Sequence, residues 1–311
     1  MFLRVGLLFW LALAPAGAQT RSVALTFDDL PLAGTSKSSS AAAISQNLLS
    51  ALANHHAPAI GFVNTNDLRP AETLGPDGEV IHDSLIEQWI GHGQDLGNHS
   101  FSHADLNRLS IAAFEQEILY GGIPLQSFLA KAGKQLEYFR FPFNHTGDTK
   151  EKHDAIASFL AQHGYRLAPC TIDNSDYIFD RAYVIAFARH DEASRAKIRS
   201  EYLAYTVREI DYYTELHKEV LGHEIPHIML LHANQLNADV VQEILAILEA
   251  KHYAFVDLAT ALSDPAYQIP DTFISAYGPM WGYRWARELN IKIDGSREAE
   301  PPAWISAYGT K

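Results

Sequence analysis

Two carboxylates stand side by side at Asp28 and Asp29, shortly after the apolar run Val23-Ala24-Leu25 and the pair Thr26-Phe27, and two imidazoles stand four residues apart at His99 and His103. Adjacent carboxylates repel each other, and a bound cation is the simplest reason to keep them together. One Asp and two His suit a divalent ion that keeps an open position for water, and a spare Asp beside it can take a proton. That is the equipment of a metal-dependent hydrolase. On a helix, residues four apart share a face with their Cβ atoms about 6 Å apart, so a helical His99–His103 pair would converge on one ion. Spacing alone is a weak signal in a chain with 15 histidines. Others, such as His55, His56, His153 and His217, are expected on the solvated surface or in loops.

Such chemistry needs a frame. The pattern predicts strands at Val23-Phe27, Ile60-Val63, Asp95-Gly97, Tyr138-Arg140, Arg166-Ala168, Ile228-Leu231 and Ala254-Val256. Amphipathic helices are predicted near Ala42-His55, Asp83-His92, Ile111-Ala132, Lys150-His163 and Ala238-Lys251. This alternation predicts an α/β fold with a parallel sheet wrapped by helices. The spacing suits a distorted, TIM-barrel-like (β/α) barrel of about seven strands, in which chemistry gathers at the C-terminal strand ends. A doubly wound open sheet has a similar signature. Arg181 to Leu221 reads as an added helical pair. The tail is rich in aromatics (Tyr267, Phe273, Tyr277, Trp281, Tyr283, Trp285, Trp304). It reads either as a wrap-around packing segment or as a cleft wall or contact between copies of the chain.

Residues 1–18 read as a signal peptide, with Arg4 before the apolar core Val5 to Leu13 and Ala16-Gly17-Ala18 as the cleavage site. The run is too short to span a membrane. Secretion or a periplasmic location is expected, with no stable membrane insertion. The remaining chain of about 290 residues suffices for one large domain, expected over 19–262, with 263–311 as an extension packed on the barrel. The single cysteine, Cys170, has no internal disulfide partner and is expected to be buried. A formal charge of -13 argues against nucleic acid and anionic membranes as partners and is compatible with glycans.

Five segments follow one another along the chain: Leu25-Thr26-Phe27-Asp28-Asp29, His99-Ser100-Phe101-Ser102-His103, Phe139-Arg140-Phe141-Pro142-Phe143, Asp173-Asn174-Ser175-Asp176-Tyr177 and Leu230-Leu231-His232. In order and spacing they resemble the motifs of the polysaccharide deacetylases, the NodB-homology enzymes of carbohydrate esterase family four. The resemblance implies that Asp29, His99 and His103 hold a divalent metal, with Zn²⁺ favoured and Co²⁺, Ni²⁺ or Mn²⁺ suited to the same ligands. It implies Asp28 as base, His232 as acid, and Arg140 and Asp176 as the residues orienting them. Pro142, Phe143, Tyr177, His145 and Asp173 are the expected substrate contacts, and the Phe143 N–H is expected to face the oxyanion. The implied reaction removes N-acetyl groups from an N-acetylglucosamine-type glycan.

Several positions depart from the family pattern. Leu30 replaces the Gly after the aspartates and is expected to reshape the subsite beside the metal. Phe141 stands where Pro is common, Asn144-His145 where Gly is usual, and Tyr177 where Trp is. An inserted loop is expected between Thr65 and His82. Hydrolysis of small cyclic amides or ureides, or of O-acetyl esters, is the alternative on the same fold. A non-catalytic glycan-binding module is disfavoured because every expected ligand, base and acid is present. A homo-oligomer built through the tail is a further expectation.

Overall fold

A computed structural model describes residues 21–34, 41–68 and 82–310. The leader, the Ser36-Lys37-Ser38-Ser39-Ser40 stretch and most of the insertion before His82 lie outside the described residues. Among the described residues, seven parallel strands form one sheet: β1 (Arg21–Leu30), β2 (Ala59–Val63), β3 (Asp95–Asn98), β4 (Tyr138–Phe139), β5 (Arg166–Leu167), β6 (His227–His232) and β7 (Tyr253–Phe255). Their order is β5-β4-β3-β2-β1-β6, and β7 pairs with Arg21–Val23 at the start of β1. The sheet curls. An isolated parallel bridge joins Ile172, just beyond β5, to Met229 of β6, and Leu230 N–H donates to the Ile172 carbonyl at 2.9 Å. The result is a distorted (β/α) barrel, as the alternation predicts.

The strands appear where predicted because parallel strands are buried on both faces and so read as nearly continuous apolar runs. From Val23 to Asp28 every β1 residue is buried, with pairing to β2 on one edge and β6 on the other. The helices are α1 (Ala41–Asn54), α2 (His82–Gly91), α3 (Ile111–Lys131), α4 (Lys150–Gln162), α5 (Asp176–Ala188), α6 (Glu192–Leu221), α7 (Gln235–Ala250), α8 (Leu258–Ala261), α9 (Trp281–Glu288) and α10 (Ala303–Gly309). Side-chain caps fix several starts: Ser110, Thr149, Asp191 and Asn234 each accept the N–H three residues on. The predicted helical pair is α5 and α6, and α6 stops at Gly222 with φ 76°.

Three expectations change. His99 and His103 are not on a helix: His99 follows the end of β3 and the segment to His103 is irregular, with φ of 69° at Ser100 and 56° at His103. Leu30 does not reshape a subsite. Its side chain is fully buried and lies over Gly61 of β2, where a Cβ would come within 2.5 Å of the leucine. His217 is no surface residue. It is 1% exposed on α6, its ring 5.2 Å from that of His227 and 5.6 Å from that of Trp285, and burial holds its pKa well below the ordinary 6.5. Cys170 is buried, as expected for a packed thiol.

Candidate active site

The C-terminal tips of β1, β2 and β3 bring the first polar cluster together, as barrel topology requires. Asp29 turns out of β1 with φ 62°, and its Oδ1 accepts the Asn64 amide from just beyond β2 at 2.7 Å. The same oxygen lies 3.6 Å from His99 Nε2 and 3.5 Å from His103 Nε2. One donor atom from each of the three residues lies within 4.8 Å of the others. Donors held 2.0–2.1 Å from a tetrahedral ion stand roughly 3.3 Å apart, so this set fits one divalent cation. The tautomer also fits. His99 Nδ1 lies 2.9 Å from the Arg140 carbonyl, which only accepts, so Nδ1 carries the proton and the Nε2 lone pair faces the acids. Burial keeps the His99 pKa below its ordinary value despite the pull of Asp28 and Asp29, leaving a neutral ring suited to ligation. Asp29 is partly buried, which alone would raise its pKa, but His103, His232, His99 and Asn64 together lower it and hold it ionised.

Asp28 sits one residue deeper and serves a different neighbour. Arg140 follows β4, is fully buried, and donates through Nη1 to Asp28 Oδ1 at 2.8 Å and to Thr26 Oγ1 at 2.6 Å. Its Nε and Nη2 donate to the Ala168 and Pro169 carbonyls, and its guanidinium lies 4.4 Å over the Phe62 ring. One Asp28 oxygen is therefore occupied. The other, Oδ2, faces the three candidate metal donors, 3.7 Å from His99 Nε2.

His232 ends β6, in register opposite Asp28. Its Nδ1 donates to Asp176 Oδ1 at 2.6 Å and its backbone N–H to Asp176 Oδ2 at 2.7 Å. Asp176 is buried at the first turn of α5, where the helix dipole also favours a carboxylate. Asn237 and Asn234 donate to its second oxygen. Burial alone would push the His232 pKa down. The carboxylate of Asp176, followed by those of Asp29 and Asp28, outweighs this and lifts it to about 10.

Asp28, Asp29, His99, His103 and His232 line one cleft of about 380 Å³, together with Phe141, Phe143, Asn144, Asp173, Tyr177, Leu230, Gly278 and Met280. Phe143 and Tyr177 stand at its sides with about half their surface exposed, near His103 and His232 respectively. Desolvation pushes the Asp173 carboxyl up to about 6. Phe141 fills the floor, buried and stacked on Phe114. Two expected contacts are not part of the lining. Pro142 is buried inside its turn, and His145 pairs with Asp105 at 2.8 Å beneath Phe143.

The tail supplies cleft residues for which the sequence carries no motif. A Cβ on Gly278 would stand 2.0 Å from the Phe143 carbonyl, so only glycine allows this approach. Arg284 is 3% exposed and donates to the Asn144 carbonyl, Thr146 Oγ1, Asp271 and the Pro279 carbonyl. It ties the tail to the loop that carries Phe143. Replacing it with Ala takes the guanidinium from part-buried Asp271 and leaves the Asn144 carbonyl and Thr146 hydroxyl without that donor, and is expected to cost about 3 kcal/mol, read as a lowered urea midpoint. Lys cannot reach all the acceptors at once and should recover less than half of that loss. Asn64, Asn237 and Arg284 went unnoticed in sequence. Only Asn64 carries a signal, its place at a strand's C-terminal end.

Ten described non-glycine residues have positive φ. Six of them, Asp29, Ser100, His103, Phe143, Asn144 and Ser175, surround this cleft, the kind of clustering that marks functional sites.

Residues 16–168 match the polysaccharide deacetylase family. A chitin deacetylase from Pestalotiopsis is 31% identical over 160 residues, covering 50% of this chain and 44% of the relative. One from Arthroderma benhamiae is 27% identical over 159 residues, covering 50% and 35%. The matched stretch thus spans less than half of each relative. Among solved structures, a polysaccharide deacetylase from Bacillus cereus aligns with TM-score 0.50 at 20% identity, covering 76% of this chain and 92% of its own. A pseudoenzyme of carbohydrate esterase family four from Bacillus anthracis aligns with TM-score 0.50 at 13% identity, covering 78% and 66%. At these identities the structural likeness speaks for the fold.

Proposed function

We propose, from the match of residues 16–168 to the polysaccharide deacetylase family, that this chain is a metal-dependent hydrolase removing N-acetyl groups from an N-acetylglucosamine-type glycan. The observation that carries this reading is the meeting of three metal donors with an Asp28–Arg140 pair and a His232–Asp176 pair around one cleft. Asp29, His99 and His103 would hold the cation, with one carboxylate and two imidazoles suiting Zn²⁺ and also fitting Co²⁺, Ni²⁺ or Mn²⁺. When bound, the cation lowers the pKa of water and polarises the acyl oxygen.

The protein's own groups do the rest. Asp28 Oδ2 takes the proton of the attacking water while Arg140 holds Oδ1 and fixes the carboxylate plane. The backbone N–H of Phe143 donates to the developing oxyanion. His232 gives its Nε2 proton to the departing nitrogen, because an unprotonated amide nitrogen is a poor leaving group. Asp176 keeps that imidazole charged and aimed. Half-exposed Phe143 and Tyr177 offer flat faces to sugar rings on either side. The apolar leader before Gln19 would export the enzyme to where such glycans lie.

The pH dependence follows from His232. Its pKa is raised from 6.5 to about 10, so the protonated acid persists through neutrality and is lost only on the alkaline side. Asp176→Asn removes the largest support for that charge and is expected to move the alkaline limb of kcat/KM toward acid by about one pH unit or more. Stability follows the same sign. The stabilisation from the raised pKa is complete below pH 6.5 and fades as pH climbs through about 10, and in the variant this fall is reduced. Urea midpoints across pH 6 to 11 check it.

Acetate release by the metal-loaded protein from chitooligosaccharides, peptidoglycan fragments, acetylated xylan and small ureides tests the reading. Turnover of the N-acetylated glycans is expected. Ureide hydrolysis with no glycan turnover would overturn it.

A further inference from the structure

A second chamber opens beside the cleft. It has a volume of about 260 Å³ and shares Asp29 and His232 with the cleft, continuing between Gly34 after β1 and the residues Tyr177, Asp180 and Arg181 of α5. None of the family motifs includes Asp180 or Arg181. Asp180 is only 3% exposed. Its Oδ1 accepts the Leu236 N–H at 2.9 Å, which accounts for one oxygen as a support for the start of α7. Its Oδ2 has no hydrogen-bond partner among the described residues and lies on the Gly34 side, where a Cβ would stand 3.4 Å from it. A structural role needs one oxygen; the second is left facing the chamber.

The charges select the ligand class. A free amine would meet Arg181, and an anion would meet Asp180. A neutral polyhydroxylated ring meets an acceptor and a donor together. Burial pushes the Asp180 carboxyl up to about 7, and a hydroxyl can pair with it in either protonation state, since it both donates and accepts. Position selects which ring. His232 protonates the departing nitrogen, so the chamber beyond it receives what that nitrogen is attached to. The half-exposed ring of Tyr177 forms one wall, suited to stacking against a pyranose face.

We propose that this chamber is a sugar subsite that holds the leaving amine's pyranose through two hydroxyls, one donating to Asp180 Oδ2 and one accepting from the Arg181 guanidinium. The assignment rests on the deacetylase reading above. It is tested by comparing kcat/KM for N-acetylchitotetraose with that for 4-nitrophenyl acetate, which has no sugar, in the wild-type Zn²⁺ protein and in Asp180→Asn and Arg181→Gln. Asn retains the oxygen that accepts Leu236 N–H. Arg181 is exposed, so its variant serves if Asp180→Asn fails to fold. Each variant should raise KM for the tetramer roughly tenfold and lower the preference for tetramer over ester by a similar factor. An unchanged preference, or an equal loss on both substrates, would overturn the subsite. A wild-type protein that cleaves the ester but no N-acetylated glycan would instead overturn the deacetylase reading, and the subsite with it.

Discussion

Asp28→Asn is expected to lower kcat for acetate release by about 10²–10⁴-fold, the range of a positioned general base. The substitution is nearly isosteric. Its carbonyl oxygen can still accept from Arg140 Nη1 as Oδ1 does, while an amide nitrogen replaces the Oδ2 that faces the three candidate metal donors. That nitrogen cannot take a proton from water. Asp29, His99 and His103 are untouched, so metal stoichiometry should remain that of the wild type, as measured on protein dialysed against Zn²⁺ buffer. Arg140 loses its buried counter-charge, and a lower urea midpoint is expected alongside the kinetic loss. The kinetic assays therefore belong well below the variant's unfolding midpoint. A metal-replete Asp28→Asn protein that released acetate as fast as wild type would end the assignment of Asp28 as base.

Much of the frame was legible in the chain. A strand such as β1 announces itself because burial on both faces demands an unbroken apolar run, and the polar cluster at its end marks the face where chemistry gathers. The helix starts predicted at Ile111 and Lys150 are those observed, each following a capping side chain at Ser110 or Thr149, whereas the helix predicted from Ala238 begins earlier, at Gln235 after the Asn234 cap. Order along the chain, more than local spacing, distinguished His99 and His103 from the other histidines. Local spacing misled on conformation. Four residues fit one helical turn, yet the segment follows a loop in which Asn98 Oδ1 accepts the Ser100 N–H and two non-glycine residues adopt positive φ. Periodicity carries no information about such a loop.

Other features were not legible because they depend on distant partners. Leu30 replaces a glycine in the motif, but the space it fills is above Gly61, on a neighbouring strand. Arg284 looks like one more charge in an aromatic tail. Only the fold reveals that it reaches residues 138 and 140 positions away, at Thr146 and Asn144. The tail's two readings, packing segment or cleft wall, turn out to be compatible. The same residues that cover the barrel also place Gly278 and Met280 at the cleft. His217 shows the reverse error: a polar residue in a charged helix was assigned to solvent, although the helix buries that face against β6 and α9.

Removing the metal should have the largest effect of any single treatment. Water ionises near pH 7 on a zinc ion but with a pKa of about 15.7 in bulk. Chelation should therefore take acetate release to background, with Zn²⁺ restoring it and Co²⁺ or Ni²⁺ doing so in part. His103→Ala leaves Asp29 and His99 as the only two protein donors of the set, too few for a stable site with an open position, and excess metal should not restore its activity. Asn64→Ala separates ligation from support. The amide of Asn64 holds the donor oxygen of Asp29 at 2.7 Å without joining the set, so its loss should weaken metal affinity about 10–100-fold while saturating Zn²⁺ recovers most of kcat. Calorimetric titration of the stripped proteins with Zn²⁺ gives the affinities, and acetate release at saturating metal gives the rates. Full activity after complete metal removal, confirmed by elemental analysis, would exclude the mechanism for every residue assigned to it. Rescue of His103→Ala by excess Zn²⁺ would remove His103 alone from the ligand set.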